Sequence, residues 1–366
     1  MSGSRTTKML RLYEQTDVNP NMFFAGMFSV TADSFFNTEE VEIDVVRADQ
    51  SIAITVQDVS AGYRMNADSI YKNQKIVPPP FKEAFTVNAF ELLRRQPGQD
   101  PFTDPNIQLN LISKVFKGTN KIARKIRRAN ELQASQVLLE GKATFRNEEG
   151  QTLYTLSYNP FASHYPTAAV AWDQAGADII GDLEALANVI RTDGLVTPNR
   201  IVFGSKALAA AMANEAFMKR FDIRNANFGT IQPPVMRGQG GTYHGMITIG
   251  SYQYEVWTYD GTYADPQTGV ITPYMTPSKV LMMSTQTRLD AAFGAVPNIG
   301  ELLGASTRAQ YLPELPPRLS SIDGAFDIFL NAWMDERMEN LFAGAASRPL
   351  FIPTNLDGFG AIATGV

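Results

Sequence analysis

The chain has 366 residues, 44% of them hydrophobic, a formal charge of −5 and no cysteine. That size and apolar content suffice for two modest cores or one elaborated one, while the missing thiols exclude disulfides, cysteine nucleophiles and sulfur-ligated metal centres. The acidic balance, with a pI near 5.3, argues against a surface whose main work is to neutralise phosphates.

No run reaches the roughly 18 apolar residues of a membrane span. Met1–Asp17 carries charges where a secretory leader would be apolar. A soluble protein without membrane contact, made in a reducing cytoplasm, is expected.

The first forty residues are polar and irregular except for Met22–Val30, with turn signals at Asn19-Pro20 and Asp33-Ser34. They read as an arm. Val41–Val56 alternates β-branched residues (Val41, Ile43, Val45, then Ile52, Ile54, Val56) at the period of strands with one sheltered face. The polar stretch Gly62–Gln74 and the return through Pro78-Pro79-Pro80, which fixes extended backbone and withholds ladder donors, make this a projecting, hairpin-like limb.

The strongest element follows. Asp104 suits a cap, Pro105 the first helical position and Gly141 the close of a helix over 104–140, which at ~1.5 Å per residue approaches 50 Å. Its apolar stripe, Ile107, Leu111, Val115, Ile122, Ile126, Ala129 and Leu132, keeps the 3.6-residue period, with Gly118 as the weak point. Lys142–Tyr158 reads as strand, turn and strand, and Asn159–Gly176 as a connection at a domain boundary. An α/β pattern comes next: helix Asp178–Arg191, strand Arg200–Phe203, helix Lys206–Phe221, and strands Met246–Ile249, Tyr252–Tyr259 and Lys279–Met283. Gly229–Gly245 and Thr258–Thr272 read as exposed, mobile loops, and the apolar runs Ala325–Trp333 and Pro349–Ile352 as late strands.

Sites for chemistry are sparse. The only histidines are His164 and His244, so a metal site or triad would depend on one residue each, and surface or loop histidines are the preferred reading. Arg237-Gly238-Gln239-Gly240-Gly241 lacks the Gly-Lys-Ser/Thr ending and strand-to-helix setting of a phosphate loop, and a connection is favoured. The adjacent acids Glu39-Glu40, Glu148-Glu149 and Asp335-Glu336 suit turns and solvated faces better than paired catalysis. Met212, Met218, Met282 and Met283, with Phe203, Phe217 and Trp257, read as core filler before an apolar ligand pocket. The cationic helix face Lys114, Lys117, Lys121, Arg124, Lys125, Arg127 and Arg128 could meet phosphates, but a solvated or intersubunit salt-bridged face is preferred. No catalytic, cofactor-binding or metal-ligating residue is assigned. Lys82, Glu83, Arg94 and Arg95, at the base of the limb, are expected in intersubunit ion pairs or hydrogen bonds, because charges flank an exposed extended segment.

Five passages carry a family resemblance: FKEAFTVNAFELLRRQPGQDPFTDP (Phe81–Pro105), IVFGSKALAAAMANEAFMKRF from Ile201, YHGMITIGSYQYEVWTYDGTYAD from Tyr243, KVLMMSTQTR (Lys279–Arg288), and SRPLFIPTNLDGFGAIAT (Ser347–Thr364). Over residues 40 to 364 the chain resembles the lambda-type phage major capsid protein E family. The resemblance implies the α+β tailed-phage major capsid fold, often called the HK-ninety-seven fold: an N-terminal arm (1–40), an extended β-hairpin loop (41–85), a peripheral domain with a spine helix (86–175), an α/β axial domain (176–310) and a return to the peripheral domain (311–366). It further implies self-assembly into hexamers and pentamers of an icosahedral head enclosing double-stranded DNA, with scaffold, portal and decoration proteins as partners. Two other readings stay open: an encapsulin-like nanocompartment subunit, and a soluble α/β enzyme with its site in the loops around Tyr243 and Asp260.

Overall fold

The computed structural model describes residues 21–31, 34–36, 41–45, 72–93, 107–147, 149–222, 235–237, 240–296, 327–334 and 340–366. Its centre is a twisted sheet built from strands β6 (Arg200–Phe203), β7 (Phe221–Asp222), β8 (Val235–Arg237), β9 (Gly241–Ile249), β10 (Tyr252–Tyr259), β13 (Lys279–Met283) and β18 (Phe359–Ala363). The order is β18-β13-β6-β10-β9-β7, with β8 also on β9; β6 and β10 run parallel and every other neighbour is antiparallel.

Both faces of this sheet are covered, which is why β13 reads as an unbroken apolar run rather than an alternating one. Successive side chains point to opposite faces. Val280 and Met282 enter one core with Ile201, Phe203, Ile247 and Val256; Leu281 and Met283 enter the other with Val202, Trp257 and Phe359.

The first core is closed by helices α3 (Ile179–Gly194), α4 (Ser205–Ala213) and α5 (Glu215–Arg220), through Leu183, Leu186, Ala187, Ile190, Ala207, Ala211 and Phe217. Asp178 caps α3 by accepting the Gly181 N–H at 2.9 Å. The single helix expected over Lys206–Phe221 is two, because the Asn214 carboxamide accepts the Ala216 and Phe217 N–H groups at 2.9 and 3.1 Å and so starts a second helix inside the apolar run. The methionine and aromatic set is divided between the two cores, Met282, Phe203 and Phe217 in one and Met283 and Trp257 in the other. It does not line one pocket.

The second core lies beneath the C-terminal half of the long helix α2 (Ile107–Glu140). Ala134, Val137, Leu138 and Leu139 pack there with the hairpin β4 (Lys142–Arg146)–β5 (Thr152–Ser157) and the pair β14 (Leu289–Phe293)–β17 (Pro349–Pro353). Gly141, at φ +65°, closes the helix in the left-handed conformation that glycine tolerates. Asp104 and Pro105, the expected start, lie outside the described residues.

Halfway along α2 the buried stripe narrows to Ile122 and Ile126, against Phe81, Phe85 and Ala345 of a small sheet ordered β15 (Phe329–Met334), β16 (Asn340–Ser347) and β3 (Phe81–Asn88). Here Gly118 has its reason. A Cβ at that position would lie 2.2 Å from the Phe85 ring, so the glycine lets β3 approach the helix.

Two further readings are corrected. The stretch 241–245 is not loop but the first half of β9, paired with β8 and β10, so Gly240, at φ +85°, turns a hairpin rather than cradling an anion; Gly238 and Gln239 lie outside the described residues. Thr258–Thr272 contains the end of β10 and a hairpin of β11 (Thr262–Ala264) and β12 (Ile271–Pro273). The last strand, β18, pairs with β13 at the edge of the central sheet, where Phe359, Ala361 and Ile362 have a core on either side to enter.

Candidate intersubunit surfaces

The base of the limb is built on β3. Strand alternation separates neighbours: Glu83 faces the long helix and its carboxylate sits 2.6 Å from Lys125 Nζ, whereas Lys82 is exposed with no ion pair among the described residues. One turn of helix, α1 (Ala89–Leu93), follows β3 and repeats the motif, with Glu91 at 2.8 Å from Lys114. Each pair is about half exposed and contributes roughly 0–1 kcal/mol. Two of the four residues expected at intersubunit contacts are therefore placed, with Glu83 already engaged inside its own chain; Arg94 and Arg95 lie outside the described residues.

Helical geometry gathers Lys114, Lys117, Lys121, Arg124, Lys125 and Arg128 within an arc of about 100° that flanks the stripe of Ile122 and Ile126. Lys121 and Arg124 have no ion pair among the described residues. The same end of the helix exposes large apolar side chains, Ile112 at 63% and Phe116 at 62%, and α1 adds Phe90 at 74% and Leu93 at 57%. α1 is tied to this end by Asn110, whose amide donates to the Leu92 carbonyl at 3.3 Å. Exposed apolar groups concentrated in this way mark an association surface.

A second bare surface is the face of the small sheet turned away from the helix. Trp333 lies opposite Phe342 in the β15–β16 register and stacks on it at 5.6 Å and 10°, and Trp333 keeps 40% of its surface. The ribbon β1 (Val41–Val45)–β2 (Lys72–Ile76) joins no other sheet among the described residues, although Ile76 at its base is buried. The expected apex of this limb, residues 46–71, lies outside the described residues.

The histidines divide. His164 is not a surface residue: it is fully buried, with Nδ1 2.9 Å from the Phe359 carbonyl and Nε2 3.2 Å from Asp193, and it ties the connection 159–176 to β18 and α3. His244 bonds to Thr258 at 2.8 Å, and burial holds its pKa below the usual value against the opposing pull of Asp260. Tyr243, beside the loops of the alternative enzymatic reading, is buried against Trp257 in the second core. No cluster of three or more metal-ligating side chains occurs among the described residues, and no described helix is long and apolar enough to cross a membrane.

Sequence reasoning passed over Glu131. It is fully buried, and its two carboxylate oxygens accept the backbone N–H groups of Phe24 and Ala25 at 2.8 and 2.9 Å. The available signal was its solitude: between Ile107 and Gln136 it is the only acid, in a stretch with seven cations.

A two-faced α/β sheet crossed by a long helix, with a separate ribbon and bare apolar faces, defines the class of tailed-phage capsid subunits of HK-ninety-seven type. A protein assigned as the capsid protein of an E. coli CFT073 prophage shares this fold, with a TM-score of 0.56 at 15% identity over 80% of this chain and 79% of that one. A phage-related protein from Bordetella bronchiseptica RB50 aligns over 98% and 95% at 13% identity and a TM-score of 0.49. The holo-SrpI encapsulin complex from Synechococcus elongatus PCC 7942 aligns over 96% and 92% at 11% identity and a TM-score of 0.41. A search of curated proteins finds no match. The family described as phage major capsid protein E matches residues 6–361, and the chain belongs to it. The protein is a phage major capsid protein, a component of the virion.

Proposed function

We propose that the subunits form hexamers and pentamers of an icosahedral head around double-stranded DNA, assembling in the bacterial cytoplasm with scaffold, portal and decoration proteins, and that no step of this is catalytic. The observation that carries the reading is the β1–β2 ribbon. A two-stranded ribbon that joins no other sheet among the described residues is marginal by itself in water, and packing across a neighbouring copy supplies a further surface. Closed shells repeat such a contact around every capsomer, so individually modest interfaces sum to a stable particle. The division into arm (1–40), extended loop (41–85), peripheral domain (86–175), axial domain (176–310) and return (311–366) belongs to the same proposal. So does the role of Lys82, Glu83, Arg94 and Arg95 in contacts between copies.

Negative-stain imaging of the full-length protein, with assays for enclosed nucleic acid and protein, tests it. Closed particles that take up DNA are expected; a stable monomer would overturn the proposal, and particles filled with protein cargo would replace it with a nanocompartment. Reversing Arg94 and Arg95 to glutamate is expected to stop shell formation, and normal shells from that variant would remove these residues from the contact.

A further inference from the structure

The segment Asn21–Phe36 lies against the body of the subunit at three points. Its start, Asn21–Phe28, holds the short 3-10 turn Ala25–Met27 against the long helix, with Phe23, Phe24, Ala25 and Phe28 all buried in the second core. Further on, the Ser29 hydroxyl donates to Asp290 at 2.8 Å, and Phe35 stacks on Phe293 at 5.3 Å. The first contact is chemically unlike the other two, because it is made to a buried carboxylate.

Glu131 meets the Phe24 and Ala25 amides in bonds that span more than a hundred residues of chain. The Tyr259 hydroxyl is shared between this carboxylate and the Asn21 carbonyl, 3.2 Å away. Around it stand the rings of Phe23, stacked on Tyr259 at 4.8 Å, Phe24, edge-on to Tyr259 at 5.4 Å, and Tyr274, stacked on Tyr259 at 6.1 Å. The titratable groups facing it are Tyr259 from β10 and Tyr274 after β12, both driven upward by burial and neutral near pH 7. The turn itself brings none. Arg128, one turn earlier on the helix, acts electrostatically on Tyr274, and no cation forms an ion pair with Glu131 among the described residues.

We propose that Glu131 is a proton-operated latch for the N-terminal segment: docking of Asn21–Phe28 on the long helix is coupled to uptake of one proton by this carboxylate. Phe24 and Ala25 bond directly to this buried carboxylate and the Phe23 and Phe24 rings pack on Tyr259 beside it, so docking brings apolar groups to a site where solvent would otherwise stabilise its charge. Three backbone amides, those of Ala25, Phe24 and Phe23, and the Tyr259 phenol oppose this by favouring the ionised form, and burial outweighs them, raising the carboxyl to about 7. The docked state therefore binds more protons than the undocked state between pH 4.5 and about 7. Docking is strongest below that window and weakens as pH rises through it, by at most about 300-fold across the whole interval. The proposal concerns one subunit and is independent of how copies meet.

Hydrogen exchange of the full-length protein, read on a peptide covering residues 21–30 and corrected for intrinsic rates, tests it between about pH 5 and about pH 8. Protection of this peptide is expected to fall with rising pH in the wild type, and to lose that dependence in Glu131→Gln. Protection that is flat or rises with pH in the wild type, or an unchanged slope in the variant, would overturn the proposal. Should the variant not fold, an infrared titration of the wild type decides instead: a buried protonated-carboxyl band that disappears across the same range supports the latch, and its absence sinks it.

Discussion

Replacing Gly118 by alanine sets two well-measured effects against each other. An exposed helical glycine costs about 0.8–1.0 kcal/mol relative to alanine, so propensity alone predicts a gain. The added Cβ, however, would sit 2.2, 2.4 and 2.6 Å from three atoms of the Phe85 ring, against an ordinary carbon contact of about 3.5–4.0 Å. The ring has to move by more than about 1 Å, away from the cluster it shares with Ile122, Ile126 and Ala345, and such overpacking costs about 1–3 kcal/mol. Gly118→Ala is therefore expected to destabilise the subunit by about 1 kcal/mol net. In a Phe85→Ala background the obstruction is gone, and the same change should stabilise by about 1 kcal/mol, a coupling near 2 kcal/mol. Urea unfolding of the unassembled full-length subunit, with midpoints compared at constant m, measures all four corners of the cycle. Equal stabilisation by Gly118→Ala in both backgrounds would refute the close approach of β3 to the helix as the reason for the glycine.

Other outcomes follow from single contacts. Tyr158→Phe removes a buried 2.6 Å bond from the phenol to the Phe351 carbonyl and should cost about 1–3 kcal/mol in the same unfolding assay. Asp178→Ala removes the cap of α3; a loss of about 1 kcal/mol is expected, with faster exchange confined to the first turn of that helix. Phe217→Ala empties a fully buried site edge-on to Phe203 and should cost about 3–5 kcal/mol, visible as a lower melting temperature. Glu83→Gln breaks a half-exposed pair with Lys125, so subunit stability should change by no more than about 1 kcal/mol, an effect that salt shrinks further; a larger loss would mean that the pair is shielded from solvent.

Recurrence of apolar side chains made much of this fold readable in advance. Strands Arg200–Phe203 and Lys279–Met283 lie where the apolar runs placed them, and the long helix closes at Glu140, before Gly141. Asp178, read as the first residue of its helix, is in fact the cap before it. Misreadings arose where a local signal had a distant competitor. Glycines at 238–241 imply a flexible loop until β9 is paired on both sides. Asn214 sits inside an apolar run that looks like one helix, and only its side-chain bonds divide it. Trp333 and Phe342 are separated by residues whose composition says little, and only the β15–β16 register stacks them.

What the sequence determined by itself was where the long helix and the most strongly apolar strands lie and which of their faces are apolar, because both are set within a few residues by backbone geometry and side-chain spacing. The tertiary structure alone decided which apolar face meets which. It sent β18 to β13 at the edge of the central sheet, buried His164 under the chain end, and brought Phe24 to Glu131 across 107 residues. Burial and desolvation belong to the assembled surroundings of a group and not to its neighbours in sequence, so the most chemically distinctive carboxylate in the subunit is visible only once the chain has folded around it.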